Sequence, residues 1–477
     1  MLFNSIAFLV FLPSVFIVYW FVFKKHLKAQ NIFLLATSYL FYGWWDYRFL
    51  ALIAASTLVD YCIGLAIANE NVRKKRKLLL IFSLVFNLGL LGFFKYFNFF
   101  IDSWVEMWEA FGIAMHTSSL NIILPVGISF YTFQTLSYTI DVYRKKIEPT
   151  KGFVDFATFV AFFPQLVAGP IERASNLLPQ FKIPRVFDYN LAKSGLHLIL
   201  WGLFQKMVIA DSCATYVNIV FSNYENLNSL TLMTGSIYFA FQIYGDFAGY
   251  SNIAIGVARL LGFRLMRNFN YPYFSRDIAE FWRRWHISLS TWFRDYLYIP
   301  LGGSKGSKGE QIRNVFIIFV VSGFWHGANW TFVFWGALNA LYFLPLLLAK
   351  NNRKHLNTIA ENSWLPNWKE FIQILITFSL TCIAWVFFRS DSISDSFSYL
   401  NILFTNLDFG LQYLSMERYN VELILLLFLF IVTEWVFRKQ EEPLTGKYSL
   451  LKAVFTIFCI LTLGVYSEHQ EFIYFQF

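Results

Sequence analysis

The sequence predicts an all-α polytopic membrane protein, and three observations carry that prediction. Of its 477 residues 57% are hydrophobic and 21% aromatic, only 14% are charged, and the mean hydropathy is +0.48. A soluble chain carries about a quarter charged residues, so this composition excludes an ordinary soluble domain. Apolar runs approaching or reaching the roughly 20 residues that a spanning helix needs recur from end to end. The net charge of +9 does not mark a nucleic-acid-binding surface. Its basic residues sit in short loops between the apolar runs, which is the positive-inside pattern of membrane topology. One membrane domain over residues 1–477 is expected, with no nucleic-acid partner and membrane lipid around it.

The elements follow in order. A first span over Leu2–Phe23 lacks a basic n-region and is long enough to span, so no cleavable signal is expected, and Lys24-Lys25-His26-Leu27-Lys28 after it places that loop in the cytoplasm. Spans over Asn31–Trp45 and Phe49–Ala68 lead to Arg73-Lys74-Lys75-Arg76-Lys77, again on the inside. A fourth span, Leu78–Phe100, and a fifth, Ile122–Tyr143, return to Arg144-Lys145-Lys146. Residues 153–170 are apolar but short and broken by Pro164, Gly169 and Pro170, which reads as a re-entrant or cytoplasm-facing segment. Spans over Leu191–Cys213 and Leu232–Leu261 precede a long basic loop, residues 264–313. Two spans then flank His326, and three more over Phe371–Phe388, Val421–Val436 and Leu450–Val465 bring the count to 11–12, with residues 467–477 outside. Cys62, Cys213, Cys382 and Cys459 have neither metal-ligand nor disulfide spacing and read as small core residues. No metal site is expected.

Within this frame the polar residues in apolar company are the candidates for chemistry. Val321-Ser322-Gly323-Phe324-Trp325-His326-Gly327-Ala328-Asn329-Trp330 places one imidazole about 18 Å along a helix that enters near Asn314, close to mid-depth. An ionisable group there costs free energy unless it is partnered or wet, which makes His326 a functional candidate beside the plainer reading of a packing histidine. Gly323 and Gly327 permit close approach, and Gly327 with Asn329 can end the helix. A second segment, residues 279–294, reads as one amphipathic helix with Phe281, Trp285, Leu289, Trp292 and Tyr296 in an aromatic stripe. Arg283, His286, Ser290 and Arg294 lie away from that stripe. An interfacial helix with its arginines reaching into headgroups explains this as well as a second site histidine, His286, does. Asp246, between Gly245 and Gly249, is either part of a polar pocket or the partner of a buried cation such as Lys206; Asp60 and Asp141 are weaker candidates. The loop Gly302–Gly309 is a flexible cationic tether without P-loop spacing.

Several long strings resemble the membrane-bound O-acyltransferases, in particular the bacterial branch that serves polysaccharide O-acetylation, with the teichoic-acid D-alanylation proteins sharing the plan. They are Leu124–Gln134, Phe163–Ile171, Tyr244–Ser251, Phe281–Gly303 and Gly323–Trp330. The resemblance implies a barrel-like ring of tilted helices around a thinned centre, with a funnel from each face meeting at a histidine. On this chain His326 matches that histidine and His286 the second polar position. The resemblance further implies an acetyl donor that is a cytoplasmic thioester, acetyl-CoA or an acyl carrier, with no permanently bound cofactor. The acceptor would be a hydroxyl on an exported polysaccharide at the inner membrane, reached through periplasmic acetyltransferase partners. An imidazole, with a pKa of about 6.5, suits removal of a hydroxyl proton near neutral pH. Rival classes are a polysaccharide or lipid transporter, for which no inverted repeat is seen, and a non-catalytic scaffold for a periplasmic acetyltransferase. The ending Glu468-His469-Gln470-Glu471-Phe472-Ile473-Tyr474-Phe475-Gln476-Phe477 reads as an interfacial aromatic anchor. It also resembles the C-terminal tyrosine motif of the small partner in teichoic-acid D-alanylation, which implies Tyr474 as a covalent acyl relay.

Overall fold

The computed structural model describes the chain except residues 116, 118, 119, 121, 415–421, 467–471 and 474–477. Its described residues are helical or irregular, and the chain falls into two compact units: residues 1–195 with 257–266, and residues 196–256 with 267–477. Among the described residues five stretches are long and apolar enough to cross a membrane: Leu27–Asn69, Arg73–Ala110, Tyr189–Ser222, Trp330–Leu348 and Trp368–Arg389. Ile6–Val22, Leu423–Phe437 and Ser449–Leu463 are shorter apolar helices. Each of the twelve expected runs therefore has a helix, but not each is a full apolar span. Three fall short by length, and others are polar and buried. The helix Ile128–Tyr143 carries Ser129, Thr132, Gln134, Thr135, Ser137 and Thr139, all buried, because it packs on protein rather than lipid.

In the first unit, helices Leu50–Asn69, Arg73–Leu91 and Ile128–Tyr143 close around Asp60. Its carboxylate accepts from Ser83 Oγ at 2.6 Å and Asn87 Nδ2 at 2.8 Å, while Ser56 donates to Asn87 at 2.7 Å. Asp60 is thus a buried polar tie between helices. Asp141 lies 3.9 Å from Lys146. The helix expected from residue 122 starts at Ile128, because Gly127 before it adopts φ 76° and a Cβ there would meet Leu166 O at 2.7 Å. The expected re-entrant segment forms two short buried helices, Phe153–Ala161 and Phe163–Leu166.

The second unit holds the long helix Ser229–Leu260 through residue 256, the hairpin Lys308–His326 with Trp330–Leu348, and Trp368–Arg389. Its core is aromatic. Trp335 stacks on Trp385 at 5.6 Å and 17°, and Trp285 lies 5.1 Å from Trp385. Large exposed apolar side chains such as Leu425, Phe428, Leu451 and Phe455 line the outward faces of its terminal helices, as lipid contact requires. All four cysteines are free thiols, three of them buried.

Candidate active site

The hairpin builds one wall of the site. Ser307 and Glu310 exchange side-chain and backbone hydrogen bonds in a capping box, so the first helix starts at Lys308. It ends on His326 because Gly327 is extended, and Asn329 caps the next helix by accepting from Thr331 N at 2.9 Å. A Cβ on Gly323 would stand 2.2 Å from Phe332 O, so the two backbones touch at this point. The His326 ring, buried, is walled by Trp325, Trp335 and Phe388 with ring centroids 5.0, 5.2 and 5.3 Å away.

The opposite wall corrects the expected single amphipathic helix over residues 279–294. Two short helices form instead, Ile278–Arg284 and Ile287–Phe293, and His286 joins them at φ 44°, ψ 54°. That left-handed conformation costs a non-glycine residue about 1 kcal/mol or more, so it persists only where its surroundings fix it. Here Ile287 N donates to Asn268 O at 2.8 Å, and Trp285 N to Phe281 O at 2.8 Å. The aromatic stripe is real but faces protein: Phe281, Trp285, Leu289, Trp292 and Tyr296 are all buried. Arg283 also turns inward, donating to Asn352 O and His355 O, both at 2.7 Å, while the exposed Arg294 pairs with its neighbour Asp295.

The imidazole of His286 is fixed by one amide. Its Nδ1 lies 3.1 Å from Asn268 Oδ1, which also takes Ser288 Oγ at 2.9 Å and the Ser288 backbone N–H at 3.3 Å. A backbone N–H can only donate, so the Asn268 atom facing it is the oxygen, and His286 Nδ1 must carry its proton. The tautomer is therefore Nδ1–H, leaving the lone pair on Nε2. Asn268 is held in turn by donating to Ser251 Oγ at 3.0 Å. Burial pushes the His286 pKa down from 6.5 to about 3, so the ring is neutral at physiological pH. Phe247 meets it edge-on at 4.6 Å.

A buried ion cluster supports this wall from below. Glu280 accepts from Arg276 Nε and Nη2, each at 3.0 Å, and from Arg284 Nη2 at 2.8 Å; Arg276 also reaches Glu370 at 3.2 Å. Burial alone would raise the Glu280 pKa, but the Arg276 hydrogen bonds and the Arg284 charge outweigh it and hold the carboxyl below its usual value.

His286 and His326 line one cavity of about 580 Å³. Along the helix Lys308–His326 its lining follows a single stripe, Gln311, Val315, Ile318, Phe319, Ser322 and His326. Fifteen residues separate the ends of that stripe, which at 1.5 Å per residue is about 22 Å. The end near Gln311 is polar and cationic, with Ser304, Lys350, Asn352 and Arg353; the end near His326 is aromatic, with Trp282 and Trp285. The structure thus joins the two sequence candidates. Asp246 is not in this lining: it is paired with Lys206 at 2.8 Å, the alternative that the sequence left open. Asp60 and Asp141 belong to the first unit. Tyr474 lies outside the described residues. Sequence reasoning missed Asn268, Arg276 and Glu280. Asn268 had no readable signal, since it acts on a residue 18 positions away across a break that periodicity does not show.

Residues 148–388 match the family described as MBOAT, membrane-bound O-acyltransferase. A probable alginate O-acetylase of Pseudomonas aeruginosa is 40% identical over 424 residues, covering 88% of this chain and 78% of that protein. A peptidoglycan O-acetyltransferase of Helicobacter pylori is 34% identical over 429 residues, 84% of this chain and 79% of its own. A teichoic acid D-alanyltransferase of Bacillus subtilis is 30% identical over 287 residues, 57% of this chain and 70% of its own.

Proposed function

This chain belongs to the membrane-bound O-acyltransferase family, and from that premise we propose that it moves an acetyl group from a thioester donor toward a hydroxyl of an exported polysaccharide at the bacterial inner membrane. The observation that carries this reading is the shared cavity, with two histidines at its aromatic end and Lys350 and Arg353 at its polar end. The cationic end suits the phosphates of acetyl-CoA or of a carrier-bound phosphopantetheine, and a cavity running along about 22 Å of helix suits the extended pantetheine arm. The thioester carbonyl then meets His326. This imidazole takes the proton of the incoming hydroxyl; the new C–O bond forms, the C–S bond breaks, and the thiol leaves with a proton. His326 stands on the last turn of its helix, where the exposed carbonyl ends favour the positive charge it acquires. The aromatic walls keep water from the acyl group.

The relatives support acetyl and polysaccharide as the two sides of the reaction, since their names include alginate and peptidoglycan acetylation. In this proposal the polar mouth faces the cytoplasm and the acceptor side is served by periplasmic acetyltransferase proteins. Tyr474 is proposed as an acyl relay toward them, since a phenyl ester is a better acyl donor than an alkyl ester. The deciding experiment is His326→Ala in washed membranes supplied with labelled acetyl-CoA and acceptor. Acetylation falls to background while the amount and thermal midpoint of the protein stay at the parent level. Parent-level product would overturn the reading.

A further inference from the structure

Outside the cavity lies a second buried charge cluster. Lys206 Nζ lies 2.8 Å from Asp211 Oδ1 and 2.8 Å from Asp246 Oδ1, with all three side chains at most 10% exposed. Lys206 sits on a π turn, Gln205–Ala210, and Asp246 on the helix Ser229–Leu260. These backbones meet closely, since a Cβ on Gly245 would stand 2.9 Å from Gln205 O. A lysine and one aspartate would be enough to tie the two helices. A buried carboxylate oxygen needs a hydrogen-bond donor.

The chain's own ending supplies the donor. Ile473 N donates to Asp246 Oδ2 at 2.6 Å, and Phe472 and Ile473 are 2% and 1% exposed. Phe472 packs on Tyr250 at 4.8 Å and on Phe247 at 6.1 Å. The tail's approach begins on the same π turn, where Val465 N donates to Met207 O at 3.0 Å. So residues 472–473 do not lie at a membrane interface as the anchor reading expects; they are inserted into protein. Phe247 is the ring that meets His286 edge-on at 4.6 Å, so the inserted segment stands one ring from the site.

We propose that Lys206, Asp211 and Asp246 form a receptor for the C-terminal segment of this chain, and that its occupancy sets the position of His286 through Phe247. Asp246 is the positioning residue. Its oxygen recognises a backbone N–H, Phe472 fills the adjoining aromatic slot, and Lys206 holds the carboxylate in line. Through Phe247 the occupied receptor bears on the site of the acyl-transfer reading above, on which this inference rests. The docking itself is tested without relying on activity.

The test uses the full-length protein in lipid nanodiscs, with Cys62→Ser removing the exposed thiol and Ile473→Cys as the probe. In the parent, the thiol introduced at position 473 reacts slowly with a maleimide. Asp246→Ala raises that rate about tenfold or more, the scale set by losing a hydrogen bond to a buried charge. Asp246→Asn, which keeps a carbonyl acceptor, falls between the two. Phe472→Ala, which leaves the ion cluster intact, also speeds labelling and remains informative if Asp246→Ala does not fold. In acetyl-transfer assays kcat falls in the same order as docking is lost, while KM for the thioester stays within about twofold, because the donor mouth is untouched. Fast labelling in the parent, or equal slow labelling in Asp246→Ala and Phe472→Ala, overturns the receptor. Faster labelling with an unchanged kcat overturns the link to His286. If no variant, parent included, transfers acetyl groups, the labelling rates still decide the receptor, and the failure belongs to the proposed function.

Discussion

Asn268 offers the sharpest test of how the site is held. Its side-chain oxygen takes three donors at once: His286 Nδ1 at 3.1 Å, Ser288 Oγ at 2.9 Å and Ser288 N at 3.3 Å. Asn268→Ala removes the acceptor and leaves the buried imidazole N–H without it. A buried donor left unsatisfied costs about 1–3 kcal/mol. At 1.36 kcal/mol per factor of ten, that is roughly 5- to 150-fold in kcat if the whole cost falls on the transition state. Asn268→Asp separates geometry from charge. A carboxylate still accepts from His286 and Ser288, and the Ser251 hydroxyl can turn to donate to it, so kcat at pH 8 stays well above that of Asn268→Ala. The new negative charge favours the imidazolium, however, and raises the His286 pKa from its depressed value of about 3. The sign is then fixed. In the parent His286 is neutral from alkaline pH down to about pH 5 and contributes no acid limb there. In Asn268→Asp the rate falls as pH drops through the raised pKa, because the protonated ring has lost the lone pair on Nε2. The assay is acetyl transfer from labelled acetyl-CoA in nanodiscs across pH 5–9, with thermal midpoints measured alongside. A kcat for Asn268→Ala within about twofold of the parent, or an unshifted pH profile for Asn268→Asp, refutes the assigned tautomer and its role.

The other predictions are simpler. Gly323→Ala forces a Cβ to within 2.2 Å of Phe332 O, a backbone atom that cannot move aside. Overpacking of this kind costs about 1–3 kcal/mol, so the thermal midpoint falls and the helical hairpin loosens; an unchanged midpoint contradicts the close approach. Lys350→Ala with Arg353→Ala neutralises the cationic mouth, raising KM for acetyl-CoA severalfold while kcat holds, and a fall in kcat alone speaks against a donor mouth there. Ser304→Cys reports the side: an impermeant thiol reagent labels it in inside-out vesicles and not in intact spheroplasts, and the reverse pattern inverts the assigned topology.

Much of this site was legible in the sequence because its signals are local. His326 stood out as an imidazole among apolar residues, and Gly327 with Asn329 marked the helix end that the structure shows. Lys206 and Asp246 were readable as possible partners because both sat alone in apolar runs. The break at His286 was not legible. Three- and four-residue spacing of aromatics continues straight across it, and the force that turns the backbone comes from Asn268, remote in sequence. The twelve apolar runs were visible, but run length alone does not distinguish a lipid-facing span from a helix surrounded by protein. Ile128–Tyr143, rich in Ser and Thr, is of the second kind.

The two histidines are held by unlike means, and that difference shapes how the site can fail. His326 takes its place from a helix end, fixed by a capping box about 19 residues upstream and a backbone contact at Gly323. Its position is therefore as stiff as the hairpin and changes only when the hairpin does. His286 occupies a strained link between two helices of seven residues each, neither able to hold itself in isolation. Its position depends on Asn268 beside it and on the Arg276–Glu280–Arg284 cluster beneath. Breaking a buried ion pair by removing one partner costs about 3–5 kcal/mol, far more than the left-handed conformation at His286 needs to relax. Damage to Glu280 should therefore release the His286 wall while leaving the His326 wall standing. A cavity with one rigid wall and one conditional wall can keep the donor aligned on the first while the second responds to its supports. Those supports include Phe247, which meets His286 edge-on and packs on the buried Phe472 on its other side.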